Sequence, residues 1–215
     1  MTAWFVKMQK LSTLTYTIFN MIDLTEIICT RISHDLIGNI GAFANAVELM
    51  EDDDNEFLTE IKSTLKFSST VLTSRLKFFR MVFGLTNSNL DSAETVNKTC
   101  VDYIKTLNPN YPIELHIKAQ DNQHDLNRVL MLTVMTVADL IIKGGTIDIG
   151  LNQRQIIAKV TSQAPLAQGK IDAINGILQD KLPDNLSQYA PVFYLRNMGA
   201  RISLNTDNGL VMSIS

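Results

Sequence analysis

Two apolar seams joined by an acidic turn constrain this chain more than any other feature. Between about residues 22 and 50, Cys29, Ile32, Leu36, Ile40, Phe43, Val47 and Met50 recur at steps of three or four. That is the spacing of a helix with one buried stripe. After Glu51-Asp52-Asp53-Asp54-Asn55 a second seam runs through Leu58, Ile61, Leu65, Ser68, Leu72, Leu76, Phe79 and Phe83, with Gly84 placed as a C-cap. Two long helices and a short loop predict an antiparallel hairpin. One hairpin cannot bury both seams well, so the simplest completion is a four-helix bundle made by two copies of the chain.

Residues 86–92 are rich in Thr, Asn and Ser and mark a boundary. The division expected is a helical hairpin over 1–86 and a second domain over 87–215. In the second part, 93–107 reads as a helix and 113–118 alternates like a strand. A strongly apolar helix is expected over 126–143, ended by Gly144-Gly145. A strand pair follows at 146–151 and 155–160, then helices at 170–178 and 186–198, the latter ended by Gly199. The chain closes as a hairpin, 202–205 and 210–214, around Asp207-Asn208-Gly209. The fold class is therefore α+β: a hairpin that forms a dimeric four-helix bundle, followed by an α/β sandwich.

The formal charge of −3 over 215 residues gives no basic surface of the kind nucleic-acid binding needs. Cys29 and Cys100 have neither metal-ligand spacing nor a disulfide framework around them, which fits a reducing cytosol. No stretch is long and apolar enough to suggest a membrane span. Lys7, Lys10 and the lack of a small-residue cleavage site argue against a signal peptide in the first twenty residues.

His34 is the residue with most chemical promise. At roughly 100° per residue it falls about 160° from the centre of the first seam. Thr30, Gly38, Gly41, Asn45, Glu48 and Asp52 share its outward face. Glycine inside a helix costs about 1 kcal/mol relative to alanine, so two glycines beside an outward histidine suggest close approach by another protein. A neutral imidazole near pH 7 is a nucleophile suited to carrying a phosphoryl group. Asp35 is the candidate for orienting the ring, and Arg31, one turn earlier, for neutralising phosphate. Lys62, Lys66, Lys77 and Arg80 form a basic stripe on the second helix that would suit an acidic partner. Each feature also has a plainer reading: a surface histidine, a solvated charged face, glycines at a helix-packing contact. His116 and His124 have no obvious partners in sequence and read as structural.

The motifs around His34 narrow the choice. Arg31-Ile32-Ser33-His34-Asp35-Leu36-Ile37, Gly41-Ala42 and Glu48-Leu49-Met50-Glu51 resemble the phosphoacceptor helix of the ChpT histidine phosphotransferase family. Arg80-Met81-Val82-Phe83-Gly84 and Tyr194-Leu195 with Met198-Gly199-Ala200-Arg201-Ile202-Ser203 are similar to two further stretches of that family. The resemblance runs from about Leu24 to the C-terminus. One departure stands out: Gly38-Asn39 occupies the place of the family's Ser-Pro, which would kink the helix.

The resemblance implies a dimeric histidine-bearing hairpin and a degenerate version of the sensor-kinase ATP-binding domain. It implies phosphotransfer through phosphohistidine at His34; from their own placement around that residue, Asp35 is expected to assist, and Arg31, Gly38, Gly41, Asn45, Lys62 and Lys66 to contact the partner. The partners implied are receiver domains like those of CckA, CtrA and CpdR, with Mg²⁺ supplied by the receiver. No ATP and no other cofactor are expected. The helix expected over 126–143 lacks the Glu-x-x-x-Asn pattern of a kinase, with Asn127 out of place, and no Glu follows Glu114. The nearest match to Asp-x-Gly-x-Gly, Asp148-Ile149-Gly150-Leu151-Asn152, lies in a strand and lacks its second glycine. No Gly-x-Gly lid precedes Leu186, and without glycine the backbone amides cannot close on phosphates. The rival readings are an ATP-using sensor-kinase fragment and a non-catalytic scaffold on the same fold.

Overall fold

The computed structural model describes residues 23–51, 58–85, 88–118, 124–152, 155–179, 181–206 and 210–215. The acidic residues at 52–55, the turn at 207–209 and the first twenty residues lie outside them.

Helix α1 (Leu24–Glu51) and helix α2 (Leu58–Phe83) pack along each other as the expected hairpin. Asp23 opens α1 by accepting the Thr25 N–H at 2.7 Å. The contact between the helices uses a different stripe from the one the apolar spacing suggests. Ala46 is buried and Asn39 and Ala42 are half-buried, whereas Ile40, Phe43, Val47 and Met50 are exposed in a single copy. The inner stripe lies about a quarter turn round α1 from the seam. Small residues at the contact let the helix axes approach, because interaxial distance follows side-chain size. Gly84 does not take the positive φ of a glycine cap. A Cβ there would meet the Arg80 carbonyl at 2.3 Å, and the Gly84 carbonyl accepts from Arg128 at 2.9 Å.

A 3₁₀ turn (Ser88–Asp91) leads to α3 (Ala93–Ile104), where Ser92 caps by accepting the Thr95 N–H at 3.2 Å. Then follow β1 (Ile113–Ile117), α4 (His124–Ala138), β2 (Gly145–Asn152), β3 (Gln155–Ser162) and α5 (Gln168–Leu178). A second 3₁₀ turn (Leu186–Tyr189), α6 (Ala190–Asn197), β4 (Ile202–Asn205) and β5 (Leu210–Ile214) complete the chain. The strands form one sheet in the order β1-β2-β3-β5-β4, with β1 parallel to β2 and the other pairs antiparallel. Helix α4 lies across β2, β3 and β5. The opposite face carries His116, Asp148 and Lys159 in register across three strands.

Two helix boundaries differ from the expectation. The apolar helix stops at Ala138 rather than Lys143, because Leu140 and Ile141 bond back to Val137 and Ala138 in a tightened turn. Gly144 and Gly145, at φ 55° and 155°, then turn the chain into β2, where a Cβ on Gly145 would meet the Thr161 carbonyl at 2.2 Å. The helix expected over 186–198 is broken at Tyr189–Ala190, since Pro191 has no N–H to bond back and can only sit in a first turn.

A single apolar cluster joins the hairpin to the sandwich. It includes Ile27 and Leu36 of α1, Phe78, Phe79, Met81 and Val82 of α2, and the buried sides of α3, α4 and the sheet. Phe78 stacks on Tyr103 with ring centroids 3.9 Å apart. The end of α2 that lies beside His34 is therefore anchored in the sandwich core.

Candidate functional site

Helix α1 presents His34 with 74% of its side chain exposed, while its neighbour Asp35 is only 14% exposed. Asp35 is thus not the solvated charge its sequence position suggests. Its Oδ1 lies 3.3 Å from His34 Nδ1, and its Oδ2 accepts Arg31 Nε at 2.7 Å. The Asp35 main-chain carbonyl accepts from the Arg75 guanidinium, which is itself held by Thr106 through Oγ1 at 3.2 Å and the carbonyl at 2.8 Å. Both the side chain and the backbone of Asp35 are therefore fixed.

Arg31 corrects an expectation. Its place one turn before His34 suggests a phosphate-facing cation, but it is buried and turned inward. Its two terminal nitrogens pair with Asp139 at 2.7 and 3.0 Å, and Nη1 also reaches the Gln188 carbonyl at 3.0 Å. Burial works against the guanidinium charge, yet the Asp139 carboxylate, with smaller help from Tyr103 and Asp35, outweighs it and its pKa is raised. Tyr103 stands beside this cluster, fully buried, its hydroxyl without a hydrogen-bond partner among the described residues. Burial pushes its pKa up, with Asp139 adding and Arg31 opposing. A groove of about 240 Å³ opens next to the cluster, lined by Arg31, Asp35, Arg75, Asn108, Tyr111, Asp139 and Lys170.

The other residues singled out in sequence fall into two groups. Gly38 and Gly41 are exposed one and two turns from His34, with open space where a Cβ would stand. Asn45, Lys62 and Lys66 are exposed too, but farther along the bundle. Since Arg75 meets Asp35 across the antiparallel pair, Lys66 and Lys62 lie nine and thirteen residues on, roughly 14 and 20 Å toward the loop. The structure does not bring them to the imidazole. Arg75, Asp139 and Tyr103 were missed. Arg75 could have been noticed as a charge inside the second seam; Asp139 gave no local signal.

The two remaining histidines also have carboxylates at hand. His116 Nδ1 lies 3.2 Å from Asp148 across the parallel strands, and His124 lies 3.4 Å from Asp125. Asp148 is thus taken up in a strand pair on the open face of the sheet. Asn127 is buried and donates to the Leu90 carbonyl at 2.7 Å. Between α4 and the 3₁₀ turn Leu186–Tyr189, the crevice lined by Thr136, Asp139, Gln188, Tyr189 and Val192 holds only about 10 Å³. Among the described residues no three His, Cys, Asp or Glu side chains converge on a metal position, and no helix is long and apolar enough to cross a membrane.

Comparison with known proteins agrees with the resemblance read from the motifs. No protein-family model matches the chain. Protein phosphotransferase ChpT of Brucella abortus (strain 2308) is 32% identical over 98 residues, which span 43% of this chain and 44% of that relative. The match therefore extends over less than half the length of the curated relative. The solved structure of a bacterial phosphotransferase has a TM-score of 0.72 at 18% identity, covering 91% of this chain and 97% of the other. The chain thus shares the fold of that structure, a helical hairpin with an α/β sandwich. A histidine kinase domain from Erythrobacter litoralis EL346 matches at a TM-score of only 0.40 and 9% identity, over 82% of this chain and 92% of the other.

Proposed function

We propose that the chain is a cytosolic, homodimeric histidine phosphotransferase that relays a phosphoryl group between receiver domains through His34. One observation carries the reading: an exposed imidazole whose Nδ1 is backed by a carboxylate that is itself fixed on both sides. With Nδ1–H donating to Asp35, the Nε2 lone pair is the one left facing outward. It attacks the phosphorus of a receiver's phosphoaspartate; the N–P bond forms as the P–O bond breaks, and the aspartate leaves as a carboxylate. The Nδ1 proton stays shared with Asp35, which balances the charge of the phosphorylated ring. The reverse step, onto a second receiver's aspartate, empties the site. Phosphoryl transfer of this kind asks mainly for positioning, and the receiver brings the divalent ion.

The sequence match to a protein phosphotransferase supports this reading. Gly38 and Gly41, one and two turns along α1, have open space where a Cβ would stand and would let a receiver approach, and Asn45, Lys62 and Lys66 would meet the outer part of a docked receiver. The homodimer is supported by the exposed seam of Ile40, Phe43, Val47 and Met50. The expectation of no autokinase activity rests on the sequence, which lacks the Glu-x-x-x-Asn, Asp-x-Gly-x-Gly and Gly-x-Gly patterns at the expected places.

The test uses the full chain and a panel of phosphorylated receiver domains of the CckA, CtrA and CpdR kinds. Wild type gains an acid-labile phosphate and His34→Ala gains none. Equal labelling of both refutes the relay through His34, and labelling of neither refutes the relay and favours a scaffold. Labelling of wild type by ATP alone would instead identify a kinase.

A further inference from the structure

We infer that Asp139, contributed by the sandwich, is a positioning residue for His34: it holds Arg31, Arg31 holds Asp35, and Asp35 sets the imidazole with Nε2 outward. The inference rests on the relay reading for its purpose, though its geometry stands alone. A guanidinium is planar, so pairing both terminal nitrogens with one carboxylate fixes the direction of the remaining Nε–H. Asp139 takes Nη1 and Nη2 at 2.7 and 3.0 Å, and Nε then points at Asp35 Oδ2, 2.7 Å away. With Oδ2 occupied, Oδ1 is the oxygen that faces His34 Nδ1.

Asp139 is itself held in place. It sits in the turn that closes α4, and its carbonyl accepts Lys170 Nζ from α5 at 3.1 Å. The chain of contacts thus runs from α5 through the α4 turn into α1. A simple staple between hairpin and sandwich would not need ions. Well-packed apolar residues of similar volume often serve as well or better, and in some proteins a buried ion pair instead specifies geometry. Here the geometry specified is that of the His34 ring, which stands exposed on α1 at the end of this run of contacts.

The reading differs from a structural staple in what it predicts for the ring itself. Nitrogen-15 spectra of the full chain at about pH 9, where a histidine is ordinarily neutral, distinguish the two imidazole tautomers. Wild type is expected to hold His34 with Nδ1 protonated and Nε2 bare. Asp139→Asn removes the charge and one of the two acceptors of the fork, leaving the guanidinium plane less fixed, and the ring shifts toward the Nε2–H tautomer that free histidine prefers. Arg31→Lys, which keeps the charge but cannot form the fork, is expected to do the same and covers the case in which Asp139→Asn fails to fold. Phosphoryl transfer to both folded variants falls by roughly ten- to a hundredfold, the size of effect a misplaced group produces. An Nε2–H tautomer in wild type, or an unchanged tautomer in the folded variants, overturns the inference whatever the transfer rates. If the tautomer shifts as expected but wild type accepts no phosphate from any receiver, the positioning stands and the relay falls. If wild type transfers and the variants match it in both tautomer and rate, the relay stands and the positioning falls.

Discussion

Phe43→Asp should dissociate the proposed homodimer. In one copy Ile40 is 49%, Phe43 38%, Val47 41% and Met50 42% exposed, all on one stripe of α1. Burying a whole side chain of this size is worth about 1.5–3 kcal/mol, so each exposed portion holds about 1 kcal/mol. Four residues in each of two copies give a gross gain of about 8 kcal/mol from α1 alone. Leu76 of α2, 52% exposed, adds to it. Association costs about 4–15 kcal/mol in lost freedom, so the balance is fine and every seam residue counts. By symmetry Phe43→Asp removes its apolar contact twice and buries two unpaired carboxylates. Each buried charge costs several kcal/mol unless it is neutralised, so the total is at least about 4 kcal/mol, or about a thousandfold in dissociation constant. Sedimentation equilibrium from about 1 to 100 μM reads that shift directly, at the association strengths expected here. Glu48→Arg, on the outward face, is the control and should leave the dimer intact. A wild type that stays monomeric at the highest concentration, or a Phe43→Asp dimer of unchanged affinity, would refute the reasoning.

Two further outcomes concern the core. Phe78→Ala removes a fully buried ring stacked on Tyr103 and should lower unfolding stability by about 3–5 kcal/mol in urea titration; a loss under about 1 kcal/mol would show that this contact does not tie hairpin to sandwich. Burial raises the pKa of both the Cys100 thiol and the Tyr103 hydroxyl, so the folded chain keeps protons that the unfolded chain begins to lose at about pH 8.5 and 10. Their contribution is complete below about pH 8.5 and declines as pH rises, so the urea midpoint should fall over about pH 8.5 to 10.5. Cys100→Val should flatten the first part of that fall, and a flat wild-type profile would contradict it.

The long-range order of this molecule was the least visible part of its sequence. Helix spacing alone locates α1 and α2 closely, because periodicity over so many turns is a local signal. It misjudges which stripe packs within the chain, since Ala42 and Ala46 carry little apolar weight yet line the contact with α2. The outward position of His34 follows from the same local periodicity. The burial of Arg31 does not, because its partner Asp139 lies 108 residues away and at the end of an otherwise apolar helix. Likewise Asp35 looks solvated until Arg31 and Arg75 are both in place. The early stop of α4 at Ala138 is also a tertiary effect: Leu140 turns into the core and Asp139 toward Arg31, against a sequence that would continue the helix.

The separation between Arg31 and Asp139 also sets an order in time. Joining ends 108 residues apart costs about 4 kcal/mol of loop-closure entropy, whereas the hairpin closes over a short turn and can form early. A chain caught with only its hairpin folded would already display His34 but not yet orient it. On the proposed relay, competence to exchange phosphate would then arrive with the last long-range contact, and a half-made molecule would have the histidine without the reactive geometry.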